Sequence, residues 1–204
     1  MGVLADKRSD PSAIGATGAS VIENERAGNS PKVGSSGGRR QPIDCGDLDM
    51  RIARDGTWHY RGTPIGRLPL VKLFASVLRR EADGGYWLVT PAERGRIEVE
   101  DAPFLAVALT AEGEGRQQQL IFRTNLDDIV TAGPDHPLRI ETAAGGEPAP
   151  YILVRDRLEA KIARPVFYDL VELGVEETVA GVVVFGLWSS GAFFGLGTPG
   201  PDWE

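Results

Sequence analysis

The sequence has only one cysteine, Cys45, and two histidines, His59 and His136. A single cysteine cannot form an internal disulfide, and so few thiol and imidazole groups disfavour a zinc site. A Ser/His/Asp triad would need one of the two imidazoles as its base. His136 follows an aspartate in a turn and His59 sits on a short strand pattern, so neither position favours a triad.

Aromatic residues are absent before Trp58, and the first 40 residues hold seven glycines and six serines. Such a segment cannot bury enough apolar surface to offset the entropy lost on ordering. We therefore predict that residues 1–40 are a disordered tail. The same segment lacks the apolar core of a secretory signal, which favours a cytoplasmic location.

Long apolar runs are also missing. The longest, Val179–Trp188, is interrupted by Gly181 and Gly186 and is about half of the ~20 residues that a membrane-spanning helix needs. The sequence predicts no transmembrane segment.

Basic residues are fewer than acidic residues in the part of the chain after residue 40. Six of the 22 basic and four of the 29 acidic residues lie in the first 40, leaving 16 basic and 25 acidic residues and a net charge of −9. This excess repels phosphate backbones and anionic lipid. We predict neither a nucleic-acid partner nor a membrane partner.

The segment Asp55–Leu78 has the clearest periodicity. Thr57–Arg61 alternates as a strand, and five apolar residues then recur at helical spacing, at Leu70, Leu73, Phe74, Val77 and Leu78. Pro69 fits the first turn of this helix, and Arg79 and Arg80 fit the last. The pattern predicts a hairpin followed by a short helix.

A second unit is predicted after the polar, glycine-rich Glu112–Gly115. It contains a hairpin across Arg155–Arg157, a helix over Pro165–Leu173 and a closing hairpin around Ser189–Gly191. We predict an α+β fold of two similar units, residues 41–112 and 116–197, each with a short helix on mainly antiparallel strands. Residues 198–204 are predicted to be a C-terminal tail.

The two predicted helix starts align without a gap. Ile65, Arg67 and Leu73 superpose on Ile162, Arg164 and Leu170, and in both places a hairpin precedes a helix that begins with proline. This similarity indicates either a structural duplication or a chance likeness between two hairpin-to-helix junctions.

Several short motifs together resemble the bacterial domain-of-unknown-function family 1285. They are Asp55–Trp58, Gly62–Arg67, Leu73–Ala75, Val99–Phe104, Pro137–Arg139, Pro150–Arg155, Leu158–Lys161, Ser190–Gly191 and Phe194–Gly197. The likeness extends over about Ile43–Gly197. It implies an α+β fold of two repeated motifs and a link to signal transduction, but no reaction and no catalytic residue.

Candidate ligand-binding residues follow from charge and position. Glu100 and Asp101 form a carboxylate pair at a strand bend, and Arg67 and Arg164 stand just before the two helices, where an anion would be favoured. The arginines are predicted partners either of the carboxylates or of an anionic ligand. The aromatic residues that could line such a pocket are Trp58, Tyr60 and Trp188.

We predict no cofactor and no metal. Gly195–Gly200 matches the GxGxxG pattern, but only four residues follow it, too few for the helix that binds a pyrophosphate. Asp44, Asp47 and Asp49 lack the spacing of a calcium loop.

The prediction for function is a cytoplasmic ligand-binding or regulatory protein that recognises a small anion or a protein partner between its two units. The alternative is a hydrolase-like enzyme that uses Glu100 and Asp101 with an arginine. A third possibility is an interaction module with an exposed apolar patch.

Overall fold

The structure, a computed structural model, describes residues 41–142 and 146–197. The predicted tails, residues 1–40 and 198–204, lie outside the described residues. Within the described part the fold is α+β, as predicted: most residues are in β-strands, and two nine-residue helices accompany them. Neither helix has the length and apolar character needed to cross a bilayer.

The first sheet has six strands and one helix inserted after its third strand. The elements are β1 (Ile43–Ile52), β2 (Trp58–Tyr60), β3 (Thr63–Pro64), α1 (Leu68–Ser76), β4 (Leu78–Arg80), β5 (Tyr86–Val89) and β6 (Glu93–Val99). The strand order is β3-β2-β1-β6-β5-β4. Two antiparallel three-stranded ribbons therefore join through the parallel pair of β1 and β6.

The second sheet repeats this arrangement. Its strands are β7 (Phe104–Glu112), β8 (Gln119–Thr124), β9 (Ile129–Thr131), β10 (Leu138–Thr142), β11 (Pro148–Arg155) and β12 (Leu158–Ile162), with a 3₁₀ turn at Gly115–Gln117. The order is β10-β11-β12-β7-β8-β9, and β7 and β12 form the central parallel pair. Both sheets thus have the order third, second, first, sixth, fifth, fourth strand.

A second helix and a third sheet complete the described chain. They are α2 (Arg164–Glu172), β13 (Val175–Val179), β14 (Val182–Ser189) and β15 (Ala192–Gly197), and the three strands form one antiparallel sheet in that order. Strand β13 is absent from the sequence prediction.

Helix α1 ends earlier than predicted. It stops at Ser76, and Leu78–Arg80 forms β4, which pairs with Arg80 opposite Tyr86 on β5. Arg79 and Arg80 are therefore strand residues. The predicted apolar stripe is also partly wrong, because Leu73 is 62% exposed while Val71 and Ala75 form the buried face of the helix. The pairing of Leu78–Arg80 with β5 therefore outweighs the helical periodicity of the sequence at this point.

The strand Phe104–Glu112, which the sequence analysis assigns to the first unit, pairs with β8 and β12 of the second sheet. The chain changes sheets at Glu100–Pro103, which we call the connector. One continuous apolar core contains residues of both sheets, among them Ile52, Trp58, Phe104 and Phe122. The division at residues 112–116 therefore does not coincide with the change of sheet.

The helices occupy different places in the two strand patterns. A hairpin precedes each helix, as predicted, but α1 follows the third strand of its sheet whereas α2 follows the sixth. The gapless alignment of the two helix starts therefore joins positions that are not equivalent in topology. The repeat that the structure supports is the order of the strands.

Candidate functional site

A cavity of about 530 Å³ lies beside α2, between the helix and strands β11 and β12. Its walls are mainly apolar: Pro148, Pro150, Ile162, Phe167 and Val171. The helical period explains the wall on the α2 side, because Val166 and Leu170 face the core and Phe167 and Val171, one position further round, are only partly buried.

Two cations also line this cavity, Arg164 and Lys161. The Arg164 side chain is 70% exposed and its Nη2 lies 3.5 Å from Oε1 of Glu147, a long ion pair between two exposed groups. Its Nε donates to the hydroxyl of Tyr168 at 3.2 Å, one turn along the helix. This hydrogen bond and the nearby Glu147 charge raise the pKa of Arg164, so the guanidinium stays charged.

Lys161 is bound more closely. Its Nζ lies 2.5 Å from Oδ2 of Asp101, whose side chain is only 16% exposed. Asp101 is in the connector, so this ion pair links the cavity to the segment where the chain changes sheets. The second oxygen of Asp101 accepts a hydrogen bond from the Tyr151 hydroxyl at 2.8 Å.

Tyr151 fixes the position of the Asp101 side chain. Burial, and then its hydrogen bond to Asp101, raises the pKa of Tyr151 to about 12, so at neutral pH the hydroxyl is protonated and donates. A carboxylate with two such donors is an anchor and is not free to act as a general base.

Glu100 turns to the other sheet. It forms an ion pair with Arg51 and accepts a hydrogen bond from the backbone N–H of Arg54 at 3.1 Å. The parallel pairing of β1 and β6 sets Ile52 opposite Val99, which brings the end of β1 to Glu100. Glu100 and Asp101 therefore have partners on different sheets.

The predicted pairing of these carboxylates with Arg67 and Arg164 is wrong. Arg164 lies beside the cavity with Glu147 and Tyr168. Arg67 is exposed at the N-cap position of α1 and forms no ion pair with another described residue. The structure brings together Asp101, Lys161 and, across the cavity, Arg164, but it leaves Arg67 and Glu100 elsewhere.

The predicted aromatic walls also lie elsewhere. Trp58 is a core residue, 1% exposed, stacked on Phe74 with ring centroids 6.3 Å apart, and its indole N–H has no described hydrogen-bond partner. Tyr60 is 46% exposed, with the Arg61 guanidinium 5.2 Å from its ring centroid. Trp188 donates to Glu177 on β13. Phe167 and Tyr168 take the expected aromatic role.

Sequence reasoning missed a row of polar residues across the second sheet. The register sets Arg139 opposite Tyr151 and Tyr151 opposite Lys161, so the three side chains share one face of β10, β11 and β12. Arg139 binds Glu159 at 2.5 and 2.8 Å and also pairs with Glu141. These hydrogen bonds raise the pKa of Arg139. The signal in the sequence was the alternation of charged residues along β10 and β12.

This row continues into an open groove of about 750 Å³ between the turn after β4 and the second sheet. Arg80 lies 3.7 Å from Glu159 there, so two of the arginines of the groove, Arg80 and Arg139, already have a carboxylate partner. The groove residues carry at least as many acidic as basic groups. It is a poorer anion site than the cavity. In the described ranges, no three His, Cys, Asp or Glu side chains are close enough to hold a metal ion.

Comparison with protein families identifies two adjoining matches. Residues 39–102 match the domain of unknown function DUF1285, N-terminal domain, and residues 103–196 match the protein of unknown function DUF1285, C-terminal domain. The boundary between these matches lies in the connector. Comparison with curated proteins finds no match.

Two solved structures resemble this chain. A DUF1285 family protein from Silicibacter pomeroyi DSS-3 is 52% identical, with 78% of this chain and 84% of that chain covered and a TM-score of 0.73. A DUF1285 family protein from Shewanella baltica OS155 is 28% identical, with 62% and 91% covered and a TM-score of 0.49. With both family domains matched in order over residues 39–196, the chain belongs to the DUF1285 family.

Proposed function

We propose that this protein is a ligand-binding regulatory protein, and that the cavity beside α2 takes a small amphipathic anion such as an alkyl carboxylate or an alkyl phosphate. One observation carries the proposal: apolar walls and two cations, Arg164 and Lys161, meet in a cavity of about 530 Å³. Ligand sites are commonly concave, mostly apolar and of roughly 300–1,000 Å³, with a few polar groups that orient the ligand.

The charges favour an anionic head group. Glu147 is the acidic side chain among the lining residues, and its contact with Arg164 is long and exposed. An exposed ion pair of this kind contributes little, so a bound carboxylate or phosphate can replace Glu147 at small cost. The guanidinium can then bind the head group through two parallel hydrogen bonds.

The apolar walls favour a short hydrocarbon body. Phe167, Val171 and Ile162 offer surface that a fully polar anion such as sulfate cannot use, and burial of each CH₂ contributes about 0.8 kcal/mol. The proposed site therefore differs from the predicted one, which lay between the two units. The anionic ligand and the role of Arg164 are the same in both.

A regulatory effect follows from the second cation. Lys161 holds Asp101, and an anion that attracts Lys161 weakens that ion pair in the connector. Ligand binding would therefore weaken the contact between the connector and the second sheet that the ion pair of Lys161 and Asp101 provides. Coupling is reciprocal, so Asp101→Asn, which releases Lys161, should raise the affinity for the anion severalfold.

The test is a thermal-shift series on the full chain with n-alkyl carboxylates from acetate to decanoate and the matching alkyl phosphates. Stabilisation should rise with chain length until the cavity is filled. A ligand at 100 times its Kd adds about 2.7 kcal/mol, roughly 5–10 °C in Tm for a chain of this size.

Two arginine variants provide the matched control. Arg164→Gln should remove most of the shift, whereas Arg67→Gln, the same change at the start of the other helix, should leave it unchanged. Equal shifts in the two variants, or a shift that does not depend on chain length, would contradict the proposal.

A further inference from the structure

Strand β13 forms one edge of the third sheet, and its outer side pairs with no strand in the part of the chain that the structure describes. Its hairpin with β14 turns through Ala180 and Gly181, which have φ of +51° and +84°. Two left-handed residues in a two-residue loop are the signature of a tight hairpin whose flanking pair, Val179 and Val182, is hydrogen-bonded.

The orientation of the edge follows from this turn. Hydrogen-bonded and non-hydrogen-bonded pairs alternate along an antiparallel ladder, so Val175, Glu177 and Val179 direct their backbone groups to β14. Glu176 and Thr178 direct their N–H and C=O groups outward. The outer edge therefore offers two donors and two acceptors at the spacing of an added strand.

The side chains define two different faces beside this edge. Val175 and Val179 are 44% and 48% exposed, and Val182, opposite Val179, is 54% exposed, so the first face is mainly apolar. Its one carboxylate, Glu177, already accepts a hydrogen bond from Trp188 and lies 3.6 Å from Arg116. Glu176 and Thr178 lie on the other face, beside Val183. In a strand added to β13, every second side chain would lie beside Val175 and Val179. The side chains between them would lie on the face of Glu176.

We propose that β13 is a docking edge for an extended segment of a partner protein in which apolar residues alternate with lysine or arginine. Recognition would combine backbone hydrogen bonds to Glu176 and Thr178, apolar contact with Val175 and Val179, and pairing of a basic residue with Glu176. The net charge of −9 over residues 41–204 draws a basic partner toward this edge.

A second copy of the chain is a poor occupant. If two β13 strands paired antiparallel about a two-fold axis at Glu176 or at Glu177, identical carboxylates would stand directly opposite each other, which is destabilising. With the axis at Thr178, Glu176 would lie opposite Ala180, and no register sets a cation opposite Glu176 because residues 165–197 contain no lysine or arginine. A basic segment meets the same carboxylates with opposite charge.

The test uses the full chain and a fluorescently labelled seven-residue peptide of alternating valine and lysine flanked by threonine. Its binding is measured by fluorescence anisotropy, with a valine and glutamate peptide as the charge control. The wild-type chain should bind the basic peptide at least tenfold more tightly than the acidic one. The indole N–H signal of Trp188, which donates to Glu177 at 2.9 Å, should shift on binding and so locate the peptide at β13.

Three variants test the edge itself. Thr178→Pro removes an outward N–H without removing a bond to β14, and should weaken peptide binding at least tenfold, whereas Thr178→Val should not. Circular dichroism confirms that each variant is folded. Glu176→Lys leaves the backbone intact and should reverse the preference between the two peptides.

Three results would overturn the proposal. They are binding that is unchanged in both Thr178→Pro and Glu176→Lys, no binding of the basic peptide up to about 1 mM, and a wild-type dimer in sedimentation that Thr178→Pro dissociates. The last result would assign the edge to a second copy.

Discussion

Helices α1 and α2 have the same length and both have proline in the first turn, but their surroundings differ. Contacts from the second sheet hold α1: Arg155 donates to the carbonyl of Ala75 at 2.9 Å, and Lys72 binds Asp127 at 2.7 Å. Helix α2 lies against β7 with Val166 and Leu170 buried, and its other flank borders the cavity.

The difference shows that one local signal can serve two purposes. Of the aligned leucines, Leu73 is 62% exposed and Leu170 is 1% exposed. Of the aligned arginines, Arg67 is exposed to solvent and Arg164 lines the cavity. Because α1 follows the third strand and α2 the sixth, the two helices meet different neighbours. Helix α1 joins the sheets, and α2 leaves a concave surface.

The largest expected effect compares the two aligned leucines. Leu170→Ala removes a buried side chain and leaves a cavity, so we expect the free energy of unfolding to fall by about 2–5 kcal/mol. Leu73→Ala, at an exposed site of α1, should change it by less than about 0.5 kcal/mol. Urea unfolding of both variants provides the measurement. Similar losses at the two positions would mean that the helices are packed alike.

The next effect compares two arginines. Arg155 bonds the Ala75 carbonyl near the end of α1, lies 3.3 Å from Asp128 and covers the Phe104 ring at 4.9 Å. Arg155→Ala should therefore cost about 1.5–3 kcal/mol of stability. Arg164→Ala, beside α2, should cost much less stability than Arg155→Ala, because that side chain is largely exposed. A larger loss for Arg164 would assign it to the scaffold and not to the cavity.

The sequence predicted the hairpins, because alternation is a local property. Strands β11 and β12 form the hairpin across Arg155–Arg157, and helix α2 is close to its predicted range of Pro165–Leu173. It missed β13, whose Val-Glu-Glu-Thr-Val includes two residues that are uncommon in strands. It also extended α1 into β4, because the pairing of Leu78 with Leu88 depends on a later strand.

The site was harder to predict for the same reason. Arg164 was identified from its place before a helix, but its neighbours depend on how β11, β12 and α2 pack. Asp101 was predicted either to take part in acid/base chemistry or to pair with an arginine. Its partners in the structure are Tyr151 and Lys161, which are 50 and 60 residues away in sequence. Their contact with Asp101 depends on a register that no local pattern contains.

The contacts around α2 and around α1 should also lose their contributions to stability at opposite ends of the pH range. Beside the α2 cavity, burial and the Asp101 hydrogen bond raise the pKa of Tyr151 to about 12. Because this pKa is above the ordinary value near 10, the contribution to stability is complete below pH 10 and is lost as the pH rises from 10 through 12. Between these values the wild type should lose roughly 1 kcal/mol more than Tyr151→Phe, allowing for solvent screening.

Urea unfolding at several pH values from 9 to 12 measures this difference. Burial also raises the pKa of Tyr86, and this tyrosine is present in both proteins, so the comparison isolates Tyr151. Parallel pH profiles for wild type and Tyr151→Phe would show that Tyr151 does not titrate differently on folding.

The smallest effect concerns the acid range and α1. The hydrogen bond from Lys72, and then its charge, lowers the pKa of Asp127 below the ordinary value of 3.8. A lowered pKa contributes stability above that value, and the contribution is lost as the pH falls through the folded-state pKa. Lys72→Met should therefore move the pKa of Asp127 upward in a carboxyl NMR titration. The matched control is Asp55, whose pKa is lowered mainly by the backbone N–H of Thr57 and which should not move. If Asp127 stayed unchanged in this variant, the Lys72 contact would not hold α1 to the second sheet in solution, and the contrast between the two helices would rest on Arg155 alone.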